Sequence, residues 1–398
     1  MAHGVPSRIG QIHLYSLLKG LDGHDITILC FAREEEYRRD AEREIRQRRR
    51  LITIPAPHIA FIWRLLRALI TTRPVAVESA RSKEMKAALE NLLHEHFDVV
   101  IFEQLSMAEY ANCAFEGIKL LFPVDAVSRI KEQKRMAATN PLEKIGWYID
   151  GSMTHAYERR VYSKAHGVLL VSTADVDYTL KHVAADPCKL YVLPNGVDIE
   201  EFRPDAHMPE APNSLVFLGN MRNPANEDGI LWFHRHVWPH LKARRQGVTL
   251  RIVGNEPGPL ITALAADDPA IEVTGFVDDL RPYLSTAEVF VSPLQLGTGI
   301  KNRMLQAMAM GKAIVASPLS VEGIRLTDGK DVLVASNADA FQAAIVRLLG
   351  DAELRRDMGH NARLQAETYH SLQRTAEQFL EIIEKTRTSN GGMGVVRA

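Results

Sequence analysis

Residues 291–317, VSPLQLGTGIKNRMLQAMAMGKAIVAS, constrain this chain more than any other stretch. Val289, Phe290 and Val291 close an apolar run that reads as a buried strand. Pro293 and the turn Gly297-Thr298-Gly299 then interrupt regular structure. From Ile300 the period becomes helical, with Met304, Leu305, Met308 and Ala309 on one face. Gly311 ends the helix and residues 313–316 form the next strand. A small-residue loop entering a helix presents unpaired N–H groups at the positive end of the helix dipole, a setting that suits a phosphate or diphosphate. Lys301 and Arg303 add cations beside it. An ordinary βαβ crossover with a glycine turn has the same pattern, so residue types alone leave the anion site open.

The rest of the chain alternates in the same way, which predicts an α/β protein with two doubly wound domains. In the first half, a helix over 11–20 is followed by strands over 25–31, 97–102, 119–123, 168–172 and 190–193. In the second half, strands are expected over 214–219, 249–254, 271–275, 289–292, 313–317 and 332–335. A length of 398 residues is enough for two such domains. A formal net charge of −1 argues against a dedicated nucleic-acid binder. Cys30, Cys113 and Cys188 lie far apart without a C-x-x-C, so neither a zinc site nor a disulfide framework is expected. No apolar run has the length of a membrane span and no signal-peptide core opens the chain, which gives a cytoplasmic expectation.

Several motifs together carry a family resemblance. Gln306-Ala307-Met308-Ala309-Met310-Gly311-Lys312-Ala313-Ile314-Val315-Ala316 resembles the second half of the donor-binding motif of the retaining, GT-B-fold glycosyltransferases of family 4. The segment before it has the G-x-G-I-K-N-K form of a bacterial exopolysaccharide-associated subgroup. Phe217-Leu218-Gly219-Asn220-Met221 with Pro224 and Asn226, the strand Arg251-Ile252-Val253-Gly254, and the run 273–284 (VTGFVDDLRPYL) resemble further motifs of that subgroup, in its order and spacing. The resemblance implies two Rossmann-like domains facing a cleft: an acceptor-side domain over 1–198, a donor-binding domain over 199–371, and a helix and tail over 372–398 that cross back to the first domain. Family members usually open with a short apolar strand, and here Met1 falls almost at its end, so that strand reads as largely absent.

The function implied is transfer of a sugar from a nucleotide-sugar donor to a polysaccharide or glycolipid acceptor, with retention and with no metal or other cofactor. The diphosphate is expected on the amides of Gly299, Ile300 and Lys301, with Gly297, Thr298 and Asn302 also donor-binding and Arg222, Lys301 or Arg303 standing in for the lysine that usually follows the F-x-G turn. The base is expected against Gly275, Phe276 and Val277, with Gly219 and Gly254 also donor-binding, Gly10 as the approach point to phosphate or sugar, and Glu322 either touching the sugar or simply in a turn. Gln306 stands where the family has a ribose-binding glutamate, and Thr298 where it has a glutamate that contacts the sugar. Both departures bear on activity. Lys301 and Asp125 are the catalytic candidates, Lys301 for the leaving group and Asp125 as the polar group after a first-domain strand.

Other readings compete. Asp125 and Ser128 are also good helix N-caps, Phe276 is equally a core aromatic, and His13 reads as an exposed first-turn helix residue. Asp175-Val176-Asp177 is formally a D-x-D metal motif but reads better as the acidic first turn of a helix. The run 33–50 mixes six acidic with eight basic side chains and reads as a solvated helix face. Residues 58–73, HIAFIWRLLRALITTR, make an apolar stripe beside Arg64, Arg67 and Arg73. That stripe fits either peripheral contact with the inner face of an anionic membrane or packing on its own domain, and packing is preferred. Two rival functions remain: a catalytically silent nucleotide-binding or scaffolding relative, and a GT-B sugar-nucleotide epimerase, for which no clear carboxylate pair is found.

Overall fold

The computed structural model describes residues 1–2, 12–32, 49–57, 60–205 and 207–390. The chain forms two compact units, one from Met1–Pro194 with the segment beginning at Thr375, the other Asn195–Arg374.

The first unit runs α1 (Ile12–Gly20), β1 (Thr27–Ala32), β2 (Arg50–Pro55), α2 (Phe61–Thr71), α3 (Val75–Ser79), α4 (Lys83–Leu92), β3 (Val99–Glu103), β4 (Ile118–Val124), α5 (Val127–Ala137), α6 (Pro141–Tyr162), β5 (Gly167–Leu170), α7 (Thr173–Tyr178) and β6 (Leu190–Val192). All its strand pairs are parallel, in the orders β1-β2 and β3-β4-β5-β6. Parallel strands joined by helices are buried on both faces, which is why they read as continuous apolar runs. Phe31, Val100, Phe102, Leu121, Tyr157 and Val168 share the resulting core. Strand β2 was not expected from the sequence. RLITIP directly follows a long charged run, and only Leu51 within it is fully buried.

Met1 and Ala2 stand between β1 and β3. Ala2 N–H donates to the Leu29 carbonyl at 2.9 Å, Glu103 N–H donates to the Met1 carbonyl at 2.9 Å, and the Met1 amine donates to the Ile101 carbonyl. Beside them lies an apolar cavity of about 460 Å³ walled by Leu14, Leu17, Ile28, Val100 and Phe379. Its lining follows Thr27, Ile28 and Leu29 of β1 and runs along β3 from Val99 to Glu103.

The second unit runs β7 (Ser214–Leu218), α8 (Pro224–His236), α9 (Trp238–Arg244), β8 (Thr249–Val253), α10 (Pro259–Asp267), β9 (Ile271–Gly275), α11 (Arg281–Thr286), β10 (Val289–Ser292), α12 (Asn302–Ala309), β11 (Ala313–Ala316), β12 (Leu333–Val334), α13 (Ala338–Gly350) and α14 (Ala352–His370). The last helix, α15 (Leu372–Asn390), starts in this unit and groups with the first from Thr375 onward. The sheet is fully parallel in the order β12-β11-β10-β7-β8-β9. Leu215, Phe217, Ile252, Val289, Val291 and Val315 from its strands pack with Ile230, Phe233 and Trp238 from the helices. Both units are therefore Rossmann-like, as the alternation of apolar runs and helical periods required.

Helix α2 departs from expectation. The preferred reading packs its apolar stripe on the domain, yet Ile62, Trp63, Leu65, Leu66, Leu69 and Ile70 are all exposed and Ala68 is the residue turned inward. The large hydrophobic periodicity was read correctly. Which side faced the protein was not, because the inner side is made by the small and polar positions.

Candidate functional site

In the second unit, β7 and β10 are neighbours from which the chain winds outward in opposite directions, so the crevice at their carboxyl ends is the topological switch point where ligands of such sheets bind. Gly219 follows β7 and the loop 293–301 follows β10. Two helix N-termini converge there. Asn223 caps α8, its side-chain oxygen accepting from Ala225 N–H at 3.1 Å, with Pro224 in the first helical turn. Helix α12 begins at Asn302 without a side-chain cap. The two elements touch: Gly229 of α8 packs on Pro293 and Leu294, and Gly297 lies beside Ala225.

The carboxyl edge is lined by closely packed backbone. Gly219 N–H donates to the Val253 carbonyl at 3.0 Å and Gly254 N–H to the Gly275 carbonyl at 3.2 Å, which places Gly219, Gly254 and Gly275 side by side on adjacent strands. A Cβ at Gly254 would stand 1.6 Å from the Gly219 carbonyl oxygen, so no other residue fits there. The loop leading to α12 turns through Gly297 at φ 113° and Gly299 at φ 69°, both in the region that disfavours side chains. The helix starts at Asn302, not Ile300 as its period had indicated. Ile300 is buried within the loop and its side chain anchors it.

The charged groups at this loop are arranged unusually. Lys301 folds back so that its ammonium donates to the carbonyls of Thr298, at 2.9 Å, and Gly299, at 2.6 Å, holding the glycine turn closed. Arg303 is partly buried, and its Nη1 donates to Gln306 Oε1 at 2.7 Å. Burial pushes the Arg303 guanidinium down to about 10, still fully charged at neutral pH. Among the described residues no carboxylate lies within ion-pair distance of Arg303. A cation withdrawn from water without a counter-ion is costly, and this one stands in the first turn of a helix, where the dipole is also positive. Both features favour a bound anion. Gln306 is buried, one turn further along α12.

The flanks hold the loop in place. Asn302 Oδ1 accepts from Asn195 Nδ2 at 2.9 Å, and the Asn195 carbonyl contacts His370 Nδ1 at 3.2 Å. Ser292, Ser317 and Ser320 form a buried hydroxyl cluster, with Ser317 Oγ also donating to the Leu294 carbonyl at 2.7 Å. Asn195 and the three serines were missed from sequence, because each is an isolated small polar residue and only the sheet order brings them to one loop. Glu322 is partly buried in the turn after this cluster. Arg222 is exposed and pairs with Glu256 rather than turning to the loop. Phe276 is about half exposed beyond the end of β9, so the core reading fails for it, and Val277 beside it is partly buried.

Asp125 and His13 belong to the first unit. Asp125 follows β4, presented by Val124 at φ 79°, a conformation strained for a β-branched residue. It is not the N-cap of α5. Ala126 holds that position, and Ser128 in the first turn instead gives its N–H and hydroxyl to Glu158. Burial pushes the Glu158 carboxyl up to about 7 against the pull of those Ser128 hydrogen bonds. His13 is not an exposed helix residue either: its Nε2 lies 2.7 Å from Glu103 Oε1, and its ring meets Phe122 edge-on at 5.6 Å. Glu103 is buried at the carboxyl end of β3 and is followed by Gln104 at φ 66°. The one sequence signal for Glu103 was a charge ending the apolar run VVIFE. The D-x-D motif resolves as a helix start, with Ser172 capping α7 and Asp175 paired to Arg129 at 3.2 Å. Gly10 and most of the run 33–50 lie outside the described residues.

Two family models match in succession: "Glycosyltransferase Family 4" over residues 10–201 and "Glycosyl transferases group 1" over residues 212–351. The chain is a family 4 glycosyltransferase with the GT-B fold. It is 28% identical over 206 residues to a phosphatidyl-myo-inositol mannosyltransferase of Mycolicibacterium smegmatis, a match over 50% of this chain and 52% of that protein. The chain thus spans about half the length of that relative. It is 21% identical over 355 residues to an uncharacterised 44.6 kDa protein in the cps region of Klebsiella pneumoniae, covering 85% of this chain and 86% of that one. Among solved structures, the Anabaena protein Alr3699/HepE in complex with UDP superposes with a TM-score of 0.66 at 13% identity, over 96% of this glycosyltransferase and 98% of the Anabaena chain. At that identity the likeness speaks for the fold alone.

Proposed function

We propose that this glycosyltransferase binds a nucleoside-diphosphate sugar at the switch point of its second unit and transfers the sugar, with retention, to a glycan or lipid-linked acceptor. Arg303 carries the reading: a partly buried cation at a helix N-terminus, without a carboxylate partner among the described residues, under a glycine loop at the ligand-binding edge of the sheet. In this reading the amides of Gly299, Ile300 and Lys301 hold the diphosphate. Asn302 fixes the loop from below, and Gln306 receives the ribose. The base lies toward Gly275, Phe276 and Val277, past the glycine edge of Gly219 and Gly254, and Glu322 faces the sugar. Thr298 and Gly297 are secondary contacts.

The chemistry asked of these groups is mainly electrostatic. As the glycosidic bond to the diphosphate breaks, charge develops on the departing oxygen. Preorganised amides, the dipole of α12 and the cations Lys301 and Arg303 stabilise it without reorganisation. Front-face attack by the acceptor needs no enzymic nucleophile, and Asp125 is the candidate to orient or deprotonate the acceptor. Cations of the chain supply the charge that a metal supplies elsewhere, so no metal or organic cofactor is invoked. A lipid-linked or surface-polysaccharide acceptor is supported by the M. smegmatis relative, whose name places a phospholipid as its acceptor, and by the cps-region relative. This reading has the enzyme act in the cytoplasm, and a lipid-linked acceptor would bring it to the inner face of the membrane.

A second reading, nucleotide binding without turnover, is favoured by Gln306 and Thr298, which replace two charged acceptors by neutral ones. Calorimetric titration with UDP, GDP, ADP and dTDP tests the shared premise. Saturable binding of one diphosphate is expected, and no binding by folded protein ends both readings. Release of that diphosphate from its sugar conjugate in the presence of an acceptor separates enzyme from silent binder.

A further inference from the structure

Helix α2 is amphipathic in the reverse of the usual sense. A helix on a globular protein turns its apolar stripe to the core. Here Ala68 is buried with Arg64 and Thr71 half-buried beside it, at the spacing of one helix face. The opposite face carries Ile62, Leu65, Leu66, Leu69 and Ile70, the last 82% exposed, with Trp63 61% exposed at its margin. Five large aliphatic side chains and an indole facing water on one short helix demand an explanation that an isolated exposed leucine does not.

A second element repeats the feature. The N-terminal half of α6 exposes Leu142, Ile145 and Ile149 at helical spacing, together with Tyr148. The two are linked. Val75 N–H, just after α2, donates to Asp150 Oδ1 on α6 at 3.4 Å, the residue next to Ile149. Around these apolar groups the charge is mostly positive. Residues 60–73 contain Arg64, Arg67 and Arg73 and no acidic residue. Arg67 is exposed and has no ion pair among the described residues. Helix α5, packed on α6, supplies Lys134 over the Trp147 ring at 4.8 Å and Arg135 over Tyr148 at 5.9 Å, and Lys144 is exposed on α6 itself. The acidic groups facing this region are Asp150, paired to Lys131 at 2.7 Å, Glu78, held by Arg73 and Thr71, Glu109, paired to Arg73 at 3.0 Å, and Glu143, which accepts from Trp147.

We propose that α2 and the first half of α6 form a docking surface for an anionic lipid bilayer. Apolar side chains enter the acyl boundary, Trp63 and Tyr148 sit at headgroup level, and Arg67, Lys134, Arg135 and Lys144 meet the phosphates. A second copy of the chain fits less well, since a two-fold contact sets the same cations against each other. The inference deepens the reading of a lipid-linked acceptor by naming the surface that brings the enzyme to it, but it rests on α2 and α6 alone.

Flotation of the full chain with phosphatidylcholine–phosphatidylglycerol vesicles tests it, with pure phosphatidylcholine vesicles as comparison. Preferential binding to the anionic vesicles that weakens with salt is expected. Replacing Trp63, Leu66 and Ile70 together by serine should lower partitioning by roughly a hundredfold or more, and Arg67→Ala by about fivefold. These side chains are exposed, so the triple variant should fold and should bind nucleotide as the parent does. That titration separates failure here from failure of the donor site. Absence of vesicle binding overturns the proposal, as does equal binding by the triple variant. So does a two-copy mass in solution that the triple variant reduces to one, because the face would then be a protein interface.

Discussion

Arg303→Met separates a ligand-binding cation from a structural one. Methionine keeps much of the side-chain length and removes the charge. Burial lowers the Arg303 guanidinium from 12.5 to about 10, and this corresponds to about 3 kcal/mol carried by the ligand-free fold at neutral pH. The sign follows from the direction of the shift. A base with a depressed folded value disfavours folding at every pH below that value, so the cost is constant across the neutral range. The substitution also loses the charge-assisted hydrogen bond to Gln306, worth about 1.5–3 kcal/mol. The ligand-free variant should therefore be at least as stable as the parent, by up to about 1.5 kcal/mol, seen as a rise in Tm of up to about 6 °C for a domain of this size. Nucleoside diphosphate affinity should move the other way. A charge-assisted bond to the diphosphate contributes about 1.5–3 kcal/mol, so Kd should rise by about 10- to 150-fold. Scanning calorimetry and titration calorimetry read the two effects on one preparation. General damage lowers both stability and affinity. A lower Tm, or unchanged affinity in a folded variant, refutes the argument that Arg303 is held in place for an anion.

Three further outcomes follow from the geometry. Gly299→Val places a β-branched residue at φ 69° and should weaken diphosphate binding by at least about tenfold in titration calorimetry with modest loss of Tm; unchanged affinity removes the loop from the site. Gln306→Glu adds charge to a buried acceptor and should tighten binding of the free nucleoside several-fold if that residue faces the ribose, whereas no change in the same assay moves it away from the sugar. Glu158 has a folded value raised from 4.5 to about 7, so its contribution to stability is full below pH 4.5 and is lost as pH rises through 7. The difference amounts to about 3 kcal/mol, and Glu158→Gln should flatten the denaturant-midpoint profile over that window. An unchanged slope would place the Glu158 carboxyl near its ordinary value.

What could be read from the residues had a short-range physical basis. Strands in parallel sheets are buried on both faces, so Val289–Ser292 and Ala313–Ala316 appear as apolar runs. The loop between them was marked by its glycines, and the order of motifs identified the family before any coordinates did. Strand β2 escaped because a half-buried edge strand after a charged run has little apolar signal. His13 was misjudged because its partner Glu103 is 90 positions away and shares no local pattern with it.

The sequence by itself determined the two alternating domains, the glycine loop before α12, and the nature of the residues available to meet an anion. Periodicity and turn chemistry act over a few neighbours, and each of these features is local. Only the tertiary structure decided which way things face. It turned the apolar stripe of α2 outward, drew Arg303 partly out of water beside Gln306, and directed Arg222 to Glu256 instead of the loop. Burial and orientation are set by what packs on the other side of an element, and in this chain those partners come from distant parts of the sequence.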